Sequence, residues 1–211
     1  MSNKLTNITP SEIAIISLYC NDYLKELHGR EIARQLSANH RTTILALKKL
    51  EEKNILHSKT IGKNKMFILN IKNITTREYL RYAEITKTIS LTENHFFIKK
   101  LLQDLDPCLG HIPIILFGSY AKGTEKKESD LDLVIAKDPN QYNHSLEKKI
   151  KEFTKQYGVK IQIQKGTRED FEKGLKEKDP LVLEVIKNHI ILNNYEFWIG
   201  MLWRFAHERW P

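Results

Sequence analysis

The stretch that decides the reading of this chain is Phe117-Gly118-Ser119-Tyr120-Ala121-Lys122-Gly123-Thr124-Glu125-Lys126-Lys127-Glu128-Ser129-Asp130-Leu131-Asp132-Leu133-Val134-Ile135. It begins at the end of Ile112 to Phe117, a short continuous apolar run that reads as a buried strand despite Pro113 near its start. It ends on a second run in which Asp130 and Asp132 alternate with Leu131 and Leu133. Alternation places both acids on one face of a strand. Two carboxylates so spaced converge on one point and offer oxygen ligands suited to a hard cation such as Mg²⁺. Gly118, where the chain leaves the first strand, lets backbone come close to a ligand. If Ser119 begins a helix, its hydroxyl and the following amides form an anion site, with Lys122 close by in sequence. A phosphate cradle beside a dicarboxylate is what binding of Mg²⁺ (or Mn²⁺) with a nucleoside triphosphate requires. Asp-x-Asp alone is a weak signal. Gly118-Ser119 ahead of it, together with Gly123, Ser129 and the flanking apolar strands, narrows the reading to a strand–turn–helix–strand site.

The same residues, FGSYAKGTEKKESDLDLVI, resemble the minimal nucleotidyltransferases of the DNA polymerase beta superfamily. The resemblance covers about residues 95–200 and is most specific at 117–135. It implies an α+β domain with a mixed, strongly twisted sheet flanked by helices. It also implies transfer of a nucleoside monophosphate from a triphosphate to a hydroxyl on a small molecule, a protein or a nucleic acid. Carried over, Gly118 and Ser119 hold the triphosphate, and Asp130 and Asp132 are the catalytic metal ligands. Some stand-alone members are antitoxins that modify a toxin partner, which makes a protein partner a further expectation. The pattern departs from the superfamily at one point. A third carboxylate is expected on the next strand, here Val159 to Gln164 after a helix Ser145 to Tyr157. The polar face of that strand offers Gln162 or Gln164 instead. An amide adds no charge and accepts no proton, and Glu169 and Asp170 are the nearest acids that follow.

Charge is unevenly spread. Of a net +8, residues 1–73 contribute 12 Lys and Arg against 6 Asp and Glu, and the remainder 22 against 20. A basic N-terminal third suggests an anionic partner. Thr9-Pro10-Ser11-Glu12 reads as a helix start, and Ile13 to Tyr19 follows at helical spacing. A short helix Arg30 to Leu36 and a third, Arg41 to Lys53, come next, with Thr43, Leu47 and Leu50 on one face of the third. Asn54 suits a left-handed helix end. Leu56 to Ile61 and Lys65 to Asn70 read as a hairpin around Gly62-Lys63-Asn64. This order resembles the winged helix-turn-helix domains of prokaryotic DNA-binding regulators. The resemblance implies that Asn39, His40, Arg41 and Thr42 face bases or backbone of double-stranded DNA, and that Lys48, Lys63 and Lys65 face phosphates. Leu45, apolar on that surface, is suited either to a thymine methyl or to a protein partner.

The expected organisation is therefore α+β: a winged helix-turn-helix over 1–73, a helical linker over 74–92 and a nucleotidyltransferase domain over 93–211. Residues 74–106 contain no Gly or Pro and read as helical, interrupted at Ser90-Leu91-Thr92-Glu93 with Thr92 as the cap of a second helix whose apolar Phe96, Phe97, Leu101 and Leu105 make it amphipathic enough to be core of the next domain. The tail reads as a helix to Asn188, a strand Ile190 to Leu192 and an aromatic helix whose Phe197, Trp198, Met201, Leu202 and Phe205 pack on the sheet or on a second subunit. With two cysteines, no apolar run of membrane-spanning length and no signal-peptide pattern, the chain is expected to be cytoplasmic. Three functions remain open: a Mg²⁺-dependent nucleotidyltransferase with a DNA-binding module, a DNA-binding regulator with a catalytically weak nucleotide-binding domain, and an antitoxin-type protein that modifies a partner.

Overall fold

The computed structural model describes residues 8–136 and 144–209. The chain is α+β and divides into two compact units, one of residues up to 83 together with those from 202 onward, the other of residues 84–201.

The first unit begins with α1 (Pro10–Ser17), which starts where Thr9-Pro10-Ser11-Glu12 was read as a helix start, and Thr9 and Glu12 there cap each other reciprocally. The Glu12 carboxylate is fully buried and pairs with Lys53 Nζ at 2.6 Å. Burial acts to raise its pKa, but hydrogen bonds from Lys53 and Thr9 outweigh that and hold it below the ordinary carboxyl value. A two-residue strand β1 (Leu27–His28) leads into α2 (Gly29–Gln35), and α3 (His40–Glu52) follows. Thr43, Ala46, Leu47 and Leu50 are the buried face of α3, at the spacing of a helical stripe. Asn54 takes the left-handed conformation, φ 59°, that ends that segment. The hairpin β2 (Leu56–Ile61) and β3 (Asn64–Leu69) turns at Gly62-Lys63, and the antiparallel sheet runs in the order β1-β3-β2. The buried Tyr19 hydroxyl donates to the Phe67 carbonyl at 2.9 Å, fixing the turn that follows α1 to this sheet.

Helix α4 (Ile74–Asn94) runs without the interruption expected at Ser90–Glu93. Thr92 is not a cap, because its hydroxyl bonds back to the Ile89 carbonyl at 2.9 Å, a bond that a hydroxyl inside a helix makes readily. The break comes instead at His95, whose extended backbone starts α5 (Phe96–Leu109). That start sets the helix phase. Ile98, Leu101, Leu105 and Leu109 turn inward, and Phe96, read as part of the apolar face, is 73% exposed.

The second unit is built on a mixed four-stranded sheet. Its elements are β4 (Ile114–Phe117), α6 (Gly118–Lys122), β5 (Leu131–Ala136), α7 (His144–Tyr157), β6 (Ile161–Gly166), α8 (Arg168–Glu177), α9 (Pro180–Lys187), β7 (Ile190–Asn193) and α10 (Tyr195–Arg209). The strand order is β6-β5-β4-β7, with β5 and β6 parallel and the other pairs antiparallel. Crossover through α7 is what a parallel pair demands. Leu101, Leu105, Leu116, Leu133, Ile150 and Phe153 form one apolar cluster between the sheet and helices α5 and α7. From the opposite face Ile115, Val134 and Ile191 are buried, as are Phe171, Val185 and Trp198 of the last three helices. Among the described residues no helix is long and apolar enough to cross a membrane.

A buried ionic knot ties α4 to the end of α9. Glu84 Oε1 lies 2.9 Å from His189 Nε2, and Glu84 Oε2 lies 2.8 Å from Lys87 Nζ. His189 Nδ1 faces the Ile186 carbonyl at 2.7 Å, so with Glu84 ionised both ring nitrogens meet acceptors. Burial works against the Glu84 charge, yet His189 and Lys87 together hold its carboxyl well below the ordinary range. A carboxyl so depressed contributes stability that is complete above its unfolded pKa and lost as pH falls below it. Thermal unfolding of the protein should therefore move to lower temperature as the pH drops below about 4.5, and Glu84→Gln should flatten that dependence. Glu84→Ala, which strands a buried His189, should cost about 3–5 kcal/mol by denaturant titration.

Candidate nucleotide and metal site

The two aspartates are delivered by different means. Asp132 belongs to β5 and is paired across the ladder with Phe117, the last residue of β4. Asp130 precedes the strand, at the end of a tight turn in which the Ser129 hydroxyl accepts from the Lys126 amide at 2.8 Å and the Ser129 amide donates to the Lys126 carbonyl at 2.9 Å. Both side chains are partly exposed, flanked by the fully buried Leu131 and Leu133, as alternation requires. Burial, and then the neighbouring charge of Asp130, push the Asp132 carboxyl above its ordinary value. Two neighbouring carboxylates whose like charges repel are suited to a divalent cation. Among the described residues no three His, Cys, Asp or Glu cluster as a closed metal cage. Two carboxylates with open positions suit Mg²⁺, which is commonly held by one or two acids plus the phosphates of its nucleotide.

Gly118 is the hinge of the site. Its φ of +72° is a conformation that L side chains rarely adopt. A Cβ built there would fall 2.2 Å from Asp132 Oδ2 and 3.0 Å from its Cγ. The turn out of β4 therefore presses directly on the Asp132 carboxylate. Helix α6 starts at Gly118, so Ser119 is its second residue and is half-buried. Gly123, left-handed at φ 67°, stops the helix after one turn. Lys122 pairs with Glu184 of α9 at 2.5 Å, a contact that ties α6 to α9.

The third position of the site is held by Gln162. Parallel register sets it beside Asp132, and its Nε2 donates to Asp130 Oδ2 at 2.7 Å. Gln164 aligns with Val134, farther along the strand. Asp170 is engaged elsewhere: it completes the capping box of α8 with Thr167, beyond the end of β6 remote from Gln162. Glu169 sits in the same first turn.

In the first unit, Asn39 caps α3, its side-chain oxygen accepting from the amides of Arg41 and Thr42 at 2.9 and 3.4 Å. His40, Arg41, Thr42 and Lys48 are exposed on α3, and Lys63 and Lys65 on the hairpin. A cavity of about 380 Å³ gathers His40, Lys48, Lys63 and Lys65 with His28 and Arg30. The last two were not singled out from the sequence, where nothing links the start of α2 to a hairpin some thirty residues on. Thr42 lines a separate, smaller recess with Ser11, Leu36 and Ala38. Lys65 is partly spent on Glu51, 2.8 Å away.

Gly118→Ala should displace the Asp132 carboxylate, with a stability loss of about 1–3 kcal/mol and a weakened response to Mg²⁺ in a thermal-shift measurement. Asp132→Asn should do the opposite to the metal-free protein. A raised carboxyl pKa lowers stability as pH rises through it, so at neutral pH the substitution should raise the stability, by no more than about 1 kcal/mol given the pair's solvent exposure, and with it the unfolding temperature, while abolishing stabilisation by Mg²⁺.

Comparison with known proteins bears on this half of the chain. No curated protein and no solved structure matches it. Residues 98–193, which hold β4, α6, the two aspartates and Gln162, match the family described as "Nucleotidyltransferase domain", and the chain thus contains a nucleotidyltransferase domain.

Proposed function

We propose that the protein is a Mg²⁺- or Mn²⁺-dependent nucleotidyltransferase whose basic N-terminal unit is a winged helix-turn-helix that binds double-stranded DNA. The observation that carries the enzymatic half is the contact between the Gly118 turn and the Asp132 carboxylate, with Asp130 at its side. In this reading Gly118 and Ser119 seat the triphosphate, and Asp130 and Asp132 would hold the divalent ion, which neutralises phosphate charge when bound. Lys122, committed to Glu184, serves to anchor the α6 turn more than to contact phosphate. The acceptor hydroxyl forms a bond to the α-phosphorus, the α–β phosphoanhydride breaks, and pyrophosphate leaves with the bond's electron pair. The hydroxyl proton passes to water, because Gln162 is no base.

That last feature favours a second reading. Gln162 stands beside both aspartates as a neutral donor, which removes one charge and one proton acceptor from the site. A DNA-binding regulator that holds Mg·NTP with slow or partner-dependent turnover accommodates this. An antitoxin-type partner protein is compatible with the same slow site.

For the N-terminal unit, the order α1-α2-α3 followed by the hairpin, and the cavity where His40, Lys48 and Lys63 meet Arg30, support the DNA-binding reading. Arg41→Ala/Lys63→Ala should weaken binding to duplex DNA about tenfold and make its salt dependence shallower by about 2 in the log–log slope. Incubation with each labelled NTP and Mg²⁺ or Mn²⁺ should add nucleotide mass to an acceptor, a product that Asp130→Asn/Asp132→Asn abolishes without loss of DNA binding. NTP binding with no product on the protein, DNA or a co-purifying partner would favour the regulator instead.

A further inference from the structure

We infer that the acceptor enters over β6 and carries phosphate next to its reactive hydroxyl, as the end of a nucleic-acid strand does. The inference rests on the nucleotidyltransferase reading and extends it to the substrate.

Sheet order separates the two sides of the site. The aspartates lie on or just before β5, with β4 and its Gly118 turn on one flank and β6 on the other. A nucleotide seated on the Gly118–Ser119 turn occupies the β4 flank. What remains open beside the aspartates is the β6 flank, and β6 is the edge of the sheet. Its exposed row begins with Lys160 and Gln162, while Ile161 and Ile163 turn toward the apolar cluster. The Lys160 carbonyl accepts from the Leu131 amide at 2.8 Å, which continues the parallel register and sets Lys160 alongside Asp130. Since Gln162 reaches Asp130 from that row, Lys160 shares the aspartates' face.

The charge of this flank is the opposite of what two aspartates would be expected to gather. Lys160 has no ion-pair partner among the described residues, whereas Lys165, at the far end of the same strand, is paired with Glu147. Lys126 and Lys127 sit exposed in the turn that delivers Asp130, accompanied by one exposed acid, Glu128. Glu125, which opens that loop, faces His95 at 3.5 Å. Lys160 beside Asp130, and Lys126 and Lys127 in the turn that leads into Asp130, have no ion-pair partner among the described residues, and Glu128 is the exposed acid of that turn. A group of cations attracts a polyanion and repels an amino sugar or a basic peptide. It also offsets the repulsion that the aspartates would exert on an acceptor bearing phosphate.

The test uses the full chain in the Arg41→Ala/Lys63→Ala background, so that binding by the N-terminal unit does not intrude. Binding of a single-stranded oligonucleotide with a free 3′ hydroxyl is followed by fluorescence anisotropy with Mg²⁺ and a non-hydrolysable NTP. A phosphorylated sugar and an amino sugar serve as competitors. The added substitutions Lys126→Ala/Lys127→Ala/Lys160→Ala should weaken oligonucleotide binding about tenfold and make its salt slope shallower by about 2, with NTP affinity unchanged within about twofold. Competition by the phosphorylated sugar as well as the oligonucleotide would place the recognition on one phosphate, and competition by the oligonucleotide alone on a strand. Unaltered oligonucleotide affinity in the triple variant, or stronger competition by the amino sugar, overturns the inference. A protein that binds no Mg·NTP overturns the nucleotidyltransferase reading itself.

Discussion

The second unit depends on a steric permission at one residue. Gly118 leaves β4 with a positive φ and no side chain, and the Asp132 carboxylate occupies the space a methyl would need. Everything chemical about the site follows from that approach. It sets the Gly118 turn against an acid that is partly removed from solvent, and that burial, together with the charge of Asp130, pushes its carboxyl above the ordinary value. A site of this kind is held together by the surrounding sheet and not by its own contacts, since two neighbouring carboxylates repel. The buried strands β4 and β5 and the apolar cluster on α5 and α7 supply the stability that offsets this.

Gln162 modifies that arrangement in a specific way. Its amide satisfies one oxygen of Asp130 and leaves the pair with less negative charge around it than a third acid would. An uncharged neighbour adds no further like charge to the pair. Lys160 lies alongside Asp130 on the neighbouring strand, so a positive charge stands next to the acids.

Much of this was legible along the chain. The Thr9–Glu12 cap, the stripe Thr43, Leu47 and Leu50, the turn at Gly62-Lys63 and the alternation through Asp130 to Leu133 are all expressed within a few residues, where spacing and backbone preference act directly. The misreadings have a common origin. Thr92 looked like a cap because Ser and Thr bond equally well back into a helix, and Phe96 looked inward because the helix phase depends on where His95 breaks it. In each case two local arrangements were nearly equal in energy and the surrounding packing selected one.

The amino-acid sequence alone determined most of the order of elements, though not β1 or α8, together with the dicarboxylate face, the glycine at the strand exit and the charge imbalance between the N-terminal third and the rest, because each is written in short-range periodicity or composition. Tertiary structure decided which glutamine meets the aspartates, that Lys122 turns to Glu184, that Arg30 joins the hairpin lysines, and that Glu84 and His189 share a buried pair across more than a hundred residues. Those outcomes hang on strand order and register, which are fixed by contacts between segments distant along the chain, and no local preference of either segment encodes them.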